Sequence, residues 1–204
     1  DGAGGSLTVN SGAILALAGN GGLSVGTLAY GAKEAIFTSI GNLSVSSALT
    51  GSAGLTKSGS GTLTLSGSNG ITGNNTINEG TLLAGMANAF GSGVLRLQPG
   101  AAADIAGYAQ SIAGLTGGSS SVFTNSGGSI VLTINAPSAT TLGPVVAGSL
   151  DLLKSGAGVF NVGYGTNLRY SGNTQIDGGV LQINHNSTDT GISTFSLPGT
   201  VTLN

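Results

Sequence analysis

The sequence predicts an all-β protein in which each turn of the chain adds one rung to stacked parallel sheets, a β-solenoid. Three observations support this fold class. Short strands with alternating apolar and polar residues recur along the whole chain. Apolar residues at helical spacing are nearly absent. A stretch of some thirty residues occurs twice in altered form.

The alternating segments are bounded by Gly, Asn and Ser. In GTLTLSG, Leu63 and Leu65 point to one side of a strand and Thr62 to the other. Similar segments follow at intervals of roughly 8 to 12 residues, which is typical of short strands joined by turns. They read GSLTVNSG, NTINEGTLLAG, GVLRLQPG, SIVLTINA, GVFNVG, NTQIDGGVLQIN and GTVTLN. The best window for a helix, residues 27–40, is interrupted by Gly31.

The repeat gives the chain its organisation. Residues 55–85, LTKSGSGTLTLSGSNGITGNNTINEGTLLAG, return as residues 153–184, LKSGAGVFNVGYGTNLRYSGNTQIDGGVLQIN. The motif that begins at Lys57 recurs 97 residues later at Lys154. We therefore predict a single β-solenoid segment over residues 1–204, with superrepeats of about 97 residues. The best copies are residues 55–101 and 152–204.

A parallel coil explains the repeat better than the alternative, an antiparallel sandwich. Rungs of about 20 to 25 residues would divide each superrepeat into four or five turns. Gly and Asn suit the corners, where the backbone often needs a positive φ and stacked Asn side chains can hydrogen-bond between rungs. A sandwich also accounts for alternating strands but not for the superrepeat.

Composition excludes several classes of function. Only 6% of the residues are charged and the net charge is −2, with no Cys. The scattered basic residues predict no nucleic-acid partner, and the lack of Cys excludes disulfides and thiolate metal sites. No apolar run reaches the roughly 18 residues of a membrane helix, so no membrane span is expected. The start, DGAGGS, lacks a signal-peptide pattern and favours a mature or excised segment.

Candidate catalytic and metal-binding residues are few. Asp151 and Asp177 are about one rung apart and could lie on one face, as the carboxylate pair of a glycosidase does. Their counterparts in the first copy, Gly54 and Asn78, do not preserve that pair. His185 stands alone in a polar segment, which favours a surface histidine over a metal ligand. We therefore predict no catalytic, cofactor-binding or metal-binding residues, no cofactor and no enzyme activity.

The repeated stretch resembles a known family. Residues 57–85 are similar to the passenger-associated transport repeat, the autotransporter-associated β-strand repeat of bacterial surface and secreted proteins. Residues 88–101, NAFGSGVLRLQPGA, resemble the usual continuation, and residues 154–184 form a degenerate copy with Val159-Phe160 in place of Thr-Leu. The resemblance implies a right-handed parallel β-helix at the cell surface of a bacterium or outside it.

The features that the two copies share are those of a structural unit. They repeat inward aliphatic residues, corner Gly and Asn, and outward hydroxyls. Lys57 and Lys154 are the repeated titratable residues, and we predict that they are solvated at a corner or discourage lateral sheet pairing. The predicted structural core contains Leu63, Leu65, Ile77, Leu82, Val162, Ile176 and Leu181.

These observations predict an extracellular structural or adhesive segment, a rigid stalk or fibre such as part of an autotransporter passenger. The alternative is a fragment of a carbohydrate-active β-helix enzyme whose catalytic residues lie mostly outside this segment. A third possibility is a scaffold whose folding outside the cell helps to drive export. The expected partners are further rungs of the same polypeptide or another copy stacked end to end, and a host-surface or polysaccharide ligand.

Overall fold

The computed structural model of the chain is a β-solenoid of parallel strands, which confirms the predicted fold class. It describes residues 4–16, 19–162, 168–183 and 199–204. Within these ranges every strand pairing is parallel and no α-helix is present. The parallel pairing rules out the antiparallel sandwich, in which neighbouring strands run in opposite directions.

The first four turns each contribute three short strands. These are β1 (Ser6–Thr8), β2 (Ala13–Ala16), β3 (Gly21–Leu23), β4 (Thr27–Gly31), β5 (Ala35–Ser39), β6 (Leu43–Val45), β7 (Ala48–Gly51), β8 (Leu55–Ser58), β9 (Thr62–Leu65), β10 (Gly70–Ile71), β11 (Asn75–Ile77) and β12 (Thr81–Ala84). The window with partial helical spacing, residues 27–40, thus forms β4 and β5.

Later turns contain both short strands and two long ones that bend around a corner. They are β13 (Val94–Leu97), β14 (Ala102–Asp104), β15 (Gln110–Ile112), β16 (Gly114–Gly117), β17 (Val122–Asn135), β18 (Thr140–Leu142), β19 (Val145–Ser155), β20 (Val159–Val162), β21 (Leu168–Tyr170), β22 (Thr174–Ile176), β23 (Val180–Ile183) and β24 (Val201–Leu203). The pairing of β17 with β19 shifts register between Asn125 and Ile130, where the long strands turn.

The strands stack into three faces, numbered in the order in which the chain first visits them. Face 1 begins with β1, β4, β7 and β10, and the second halves of β17 and β19 continue it together with β15, β22 and β24. Face 2 contains β2, β5, β8, β11, β13 and β16, followed by β18, β20 and β23. Face 3 contains β3, β6, β9, β12 and β14, the first halves of β17 and β19, and β21.

The core runs along the axis between the faces, because alternate residues of each strand point inward. The side chains of Leu63, Leu65, Ile77, Leu82 and Val162 lie fully buried there. The two remaining predicted core residues, Ile176 and Leu181, are only partly buried. Leu181 lies in β23, which pairs on one side with β20 and is the last strand of face 2 in the described part of the chain.

The two copies of the repeat lie on different faces. The first begins with Lys57 in β8 on face 2, and the second begins with Lys154 in the second half of β19 on face 1. Each copy then occupies the next four strand segments in order. Between the two lysines the chain therefore completes about four and two-thirds turns rather than a whole number of turns. Equivalent residues of the two copies have similar surroundings inside the solenoid, but they lie on different sides of it.

Side-chain amides at the corners connect successive rungs. The Asn69 carbonyl oxygen accepts a hydrogen bond from the backbone N–H of Leu49 at 3.0 Å, and its NH₂ group donates to the carbonyl oxygen of Ala89 at 2.7 Å. Asn75, which is buried, accepts from the N–H of Leu55 at 2.8 Å. These amides therefore bond the backbone of the neighbouring rung, whereas the sequence suggested bonds between stacked amides.

Candidate functional site

The repeated lysine is buried inside the solenoid, so the prediction of a solvated charge is wrong. Lys57 is 0% exposed, and its ammonium donates to three backbone carbonyl oxygens. Two belong to the following corner, Ser58 at 3.1 Å and Gly59 at 2.6 Å. The third is that of Glu79 on the next rung, at 3.1 Å. We use the word clamp for a buried, inward-pointing side chain that donates hydrogen bonds to carbonyl oxygens of two corners. One is the corner that follows it in the chain, and the other is the corresponding corner of the next rung.

Lys154 forms the same clamp in the second copy. It is also fully buried, and its ammonium donates to the carbonyl oxygens of Ser155 at 2.5 Å and Gly156 at 2.9 Å. The bond to the next rung goes to Gly178 at 3.0 Å. The corner of Lys154 joins face 1 to face 2, whereas the corner of Lys57 joins face 2 to face 3. The two clamps therefore lie on different sides of the solenoid.

Glycines make room for the carbonyl oxygens to converge. Gly80 and Gly179 both adopt φ +67°, a left-handed conformation that L side chains rarely take. A Cβ added to Gly80 would lie 2.3 Å from the carbonyl oxygen of Gly61 on the rung below, closer than atoms can approach. The corner geometry therefore requires glycine at both positions, Gly80 after Glu79 in the first copy and Gly179 after Gly178 in the second.

The corner between face 3 and face 1 has a neutral clamp, which the sequence did not indicate. Asn125 is 4% exposed, and its NH₂ group donates to Gly128 at 2.8 Å and to Ser149 on the next rung at 2.6 Å. Its carbonyl oxygen accepts from the N–H groups of Gly107 at 2.7 Å and Gly127 at 3.1 Å. All three corners of the solenoid therefore contain at least one clamp.

Burial changes the acid–base properties of the clamp lysines. Removal of the ammonium from water lowers the pKa of Lys57 from 10.5 to about 8, and the nearby Glu79 carboxylate partly opposes this decrease. Burial also lowers the pKa of Lys154. With a pKa of about 8, Lys57 is mostly charged near neutral pH, so its clamp places a desolvated cation among carbonyl dipoles.

Asp151 and Asp177 are not placed as a hydrolytic pair. Asp151 and Asp177 both lie on face 1, but the register places Asp177 beside Ser155, four residues beyond Asp151 along β19. At about 3.3 Å per residue, roughly 13 Å separate the two positions along the strand direction. The carboxylates of glycosidases lie about 5 to 9.5 Å apart. Hydrogen bonds from Gln175 and Asn204 instead occupy Asp177 and lower its pKa.

Face 1 carries two shallow clefts. One, of about 350 Å³, lies among residues that include Asp151, Leu153, Gln175 and Thr202. The other, of about 300 Å³, lies where turns replace a strand between β10 and β15, and Thr72, Ser92 and Ser111 contribute to its lining. The lining of both clefts combines hydroxyls and amides with aliphatic groups, and Asp151 is the one charged residue among the described residues that line them.

The remaining candidate residues and segments do not form a metal site or a membrane helix in the described part of the chain. His185 lies outside the described residues, as do Asp1 and Asp189. In the part of the chain that the structure covers, no group of three His, Cys, Asp or Glu residues is placed to hold a metal ion. The described residues also contain no helix that is long and apolar enough to cross a membrane.

Comparison with known families identifies the repeated unit. Residues 55–84 and 152–183 match the passenger-associated-transport-repeat family. Each match begins two residues before a clamp lysine and extends through the same succession of five strand segments. The chain therefore contains two passenger-associated transport repeats, and the resemblance stated from the sequence is confirmed.

A relative with a known role is an adhesin. The chain is 34% identical over 144 residues to the adhesin BmaC autotransporter of Brucella suis biovar 1 (strain 1330). The alignment covers 69% of this chain and 4% of the adhesin, so the chain corresponds to a small part of that much longer protein. No solved structure matches the chain at a significant level.

Proposed function

We propose that this chain is a structural segment of a secreted or surface-exposed bacterial passenger, and that it serves as a rigid adhesive stalk. The observation that carries the proposal is the stack of parallel rungs with at least one clamp at each of its three corners. Stacked ladders and internal bonds between rungs resist bending, which suits a segment that holds other parts of a protein away from a cell surface. The similarity to an autotransporter adhesin supports the surface location and the adhesive role.

The same proposal includes axial contacts at the two end rungs. Leu7 pairs with the fully buried Leu28 but is itself 45% exposed, and Leu203 pairs with Ile176 but is 74% exposed. Among the described residues, these inward positions present an apolar cross-section, and the strands that carry them have one edge without a paired strand. Further rungs of the same polypeptide, or another copy stacked end to end, would cover both.

The clefts of face 1 are the proposed contact for a surface ligand. Their hydroxyl, amide and aliphatic groups suit a neutral polysaccharide, which offers hydroxyls and apolar C–H surfaces in alternation. A nucleic acid is a poor fit, because the described lining includes no Lys or Arg and contains Asp151. A non-enzymatic role agrees with the separation of Asp151 from Asp177.

Small-angle scattering and cell attachment test this function together. The purified segment should scatter as a rod whose length grows with concentration, and beads coated with it should attach to host-cell monolayers more than beads coated with an unfolded Leu63→Asp variant. A compact particle of constant size together with equal attachment of both bead types would contradict the proposal. Release of sugars from a polysaccharide, abolished by Asp151→Asn, would support the enzyme alternative.

A further inference from the structure

Two sheets meet on face 2 without joining. The sheet that begins with β2 ends at β16, and the sheet of β18, β20 and β23 begins on the next rung. In the described residues β18 forms no hydrogen-bond ladder with β16, although the strands are adjacent. A Cβ added to Gly114 would lie 2.7 Å from Cγ2 of Thr140, and one added to Gly143 would lie 2.0 Å from the carbonyl oxygen of Gly117.

The two strands are out of phase. The close contacts align Gly114 with Thr140 and Gly117 with Gly143, and the same offset places Thr116 beside Leu142. On β16 the buried Leu115 points inward, so Thr116 points outward, whereas on β18 Leu142 is the buried inward residue. A shift of one residue reverses the alternation of inward and outward side chains between neighbouring strands, so the pleats of β16 and β18 do not match. We call this contact between β16 and β18 the seam.

The seam contains polar groups without hydrogen-bond partners among the described residues. The hydroxyls of Thr116 and Thr140 are both buried, and no group in this part of the chain hydrogen-bonds to them. The N–H of Gly118, just after β16, bonds to Leu97 on the rung of β13, and the register pairs Leu97 with Gly117. Successive N–H groups of a strand point to opposite sides, so those of Leu115 and Gly117 point toward β18, with which β16 forms no ladder in the described residues.

We propose that ordered water binds in this seam, hydrogen-bonded to the hydroxyls of Thr116 and Thr140 and to the free backbone groups of β16. Buried polar groups are nearly always satisfied, and water is the usual partner where the protein supplies none. A water that bridges several such groups is almost as favourable as a direct hydrogen bond. The seam lies between the two repeat copies and replaces one rung-to-rung ladder with a hydrated contact.

The sign of a stability change tests the proposal, because Val has almost the shape of Thr without the hydroxyl. Thr140→Val should lower the melting temperature by several degrees if the hydroxyl binds water, and Thr116→Val should act in the same direction. Thr76→Val is the matched control, since Thr76 points outward on face 2 within an intact ladder. After correction for this control, an unchanged or raised melting temperature would mean that the hydroxyls are dry and unpaired.

A direct measurement on the unmodified protein guards against variants that fail to fold. Magnetisation transfer from water to the amide protons of Leu115 and Gly117 should be detectable by NMR, and should be absent for Leu95 and Thr116, whose amides belong to the ladder between β13 and β16. A crystal structure should contain an ordered water molecule within about 3 Å of each hydroxyl. Seam amides without such transfer, or a dry contact between β16 and β18, would overturn the proposal.

Discussion

The ammonium nitrogen of Lys57 lies 3.1 Å from the carbonyl oxygen of Glu79, 22 residues further along the chain and one rung away. A single side chain therefore joins two successive corners from inside the solenoid. Lys154 and Gly178 repeat this relationship at 3.0 Å and a separation of 24 residues. Because the geometry is the same at two different corners, it belongs to the repeat itself rather than to one location in the fold.

Replacement of a clamp lysine should destabilise the protein. Lys57→Met retains most of the side-chain volume but leaves the carbonyl oxygens of Ser58, Gly59 and Glu79 without their donor. We expect the free energy of unfolding to fall by about 2 to 4 kcal/mol, measured by urea denaturation. Lys154→Met should behave similarly, while Lys33→Met, at an exposed lysine, should have little effect. Equal effects at Lys33 and Lys57 would contradict the clamp.

The clamp also predicts a dependence of stability on alkaline pH. The pKa of Lys57 is about 8 in the folded protein, below its ordinary value of 10.5. Between these two values the unfolded chain binds more protons than the folded one, so the free energy of unfolding should rise with pH. Denaturation curves at pH 7 to 10 should show a smaller rise for Lys57→Met than for the unmodified protein. Parallel pH profiles would show that Lys57 does not titrate in this range.

A charge in the core should prevent stable folding. Leu63 is fully buried in β9, and its replacement by Asp would place an unpaired carboxylate among aliphatic side chains. We expect a loss of roughly 3 to 5 kcal/mol, visible as a large decrease in the melting temperature by circular dichroism. Thr64→Asp, one residue further along but half-exposed on the outer side, is the control. Unchanged melting of Leu63→Asp would show that Leu63 does not point inward.

Two buried tyrosines should respond oppositely to loss of the hydroxyl. The hydroxyl of Tyr30 has no hydrogen-bond partner in the described part of the chain, and burial raises the pKa of Tyr30 to about 12. Tyr30→Phe removes this unsatisfied group and should stabilise the protein by about 1 kcal/mol. Tyr170→Phe breaks a 2.6 Å hydrogen bond to Thr174 and should destabilise it by a similar amount. Thermal denaturation of both variants tests this difference. Melting temperatures that shift in the same direction would contradict it.

Much of the fold was predictable because the repeat and the period-two alternation are properties of the strands themselves. The alternation also contained the signal for the buried lysine, since Lys57 is two residues after Leu55 and Lys154 is two residues after Leu152. Lys is rarely fully buried in folded proteins, and this general tendency points to a solvated side chain instead. A buried ammonium becomes acceptable only once three carbonyl oxygens converge on it, and their convergence depends on rung stacking.

Asn125 and the seam were beyond sequence reasoning for a related reason. Asn125 follows Val122-Phe123-Thr124 in an ordinary alternating segment, and only the bend within β17 brings its amide to the carbonyl oxygen of Ser149. The phase reversal beside Thr140 depends on the length of the connection between β17 and β18. Local patterns specify which residues of each strand face inward, but not how adjacent strands align after connections of unequal length.

The placement of the two copies on different faces has a geometric consequence for a longer protein. A spacing of about four and two-thirds turns rotates each successive copy by about two-thirds of a full circle around the axis. Further copies at the same spacing would return to the original azimuth only after three intervals. Insertions placed at one position of every copy would therefore project in three directions, so that an array of this kind would present its attachments around its whole circumference.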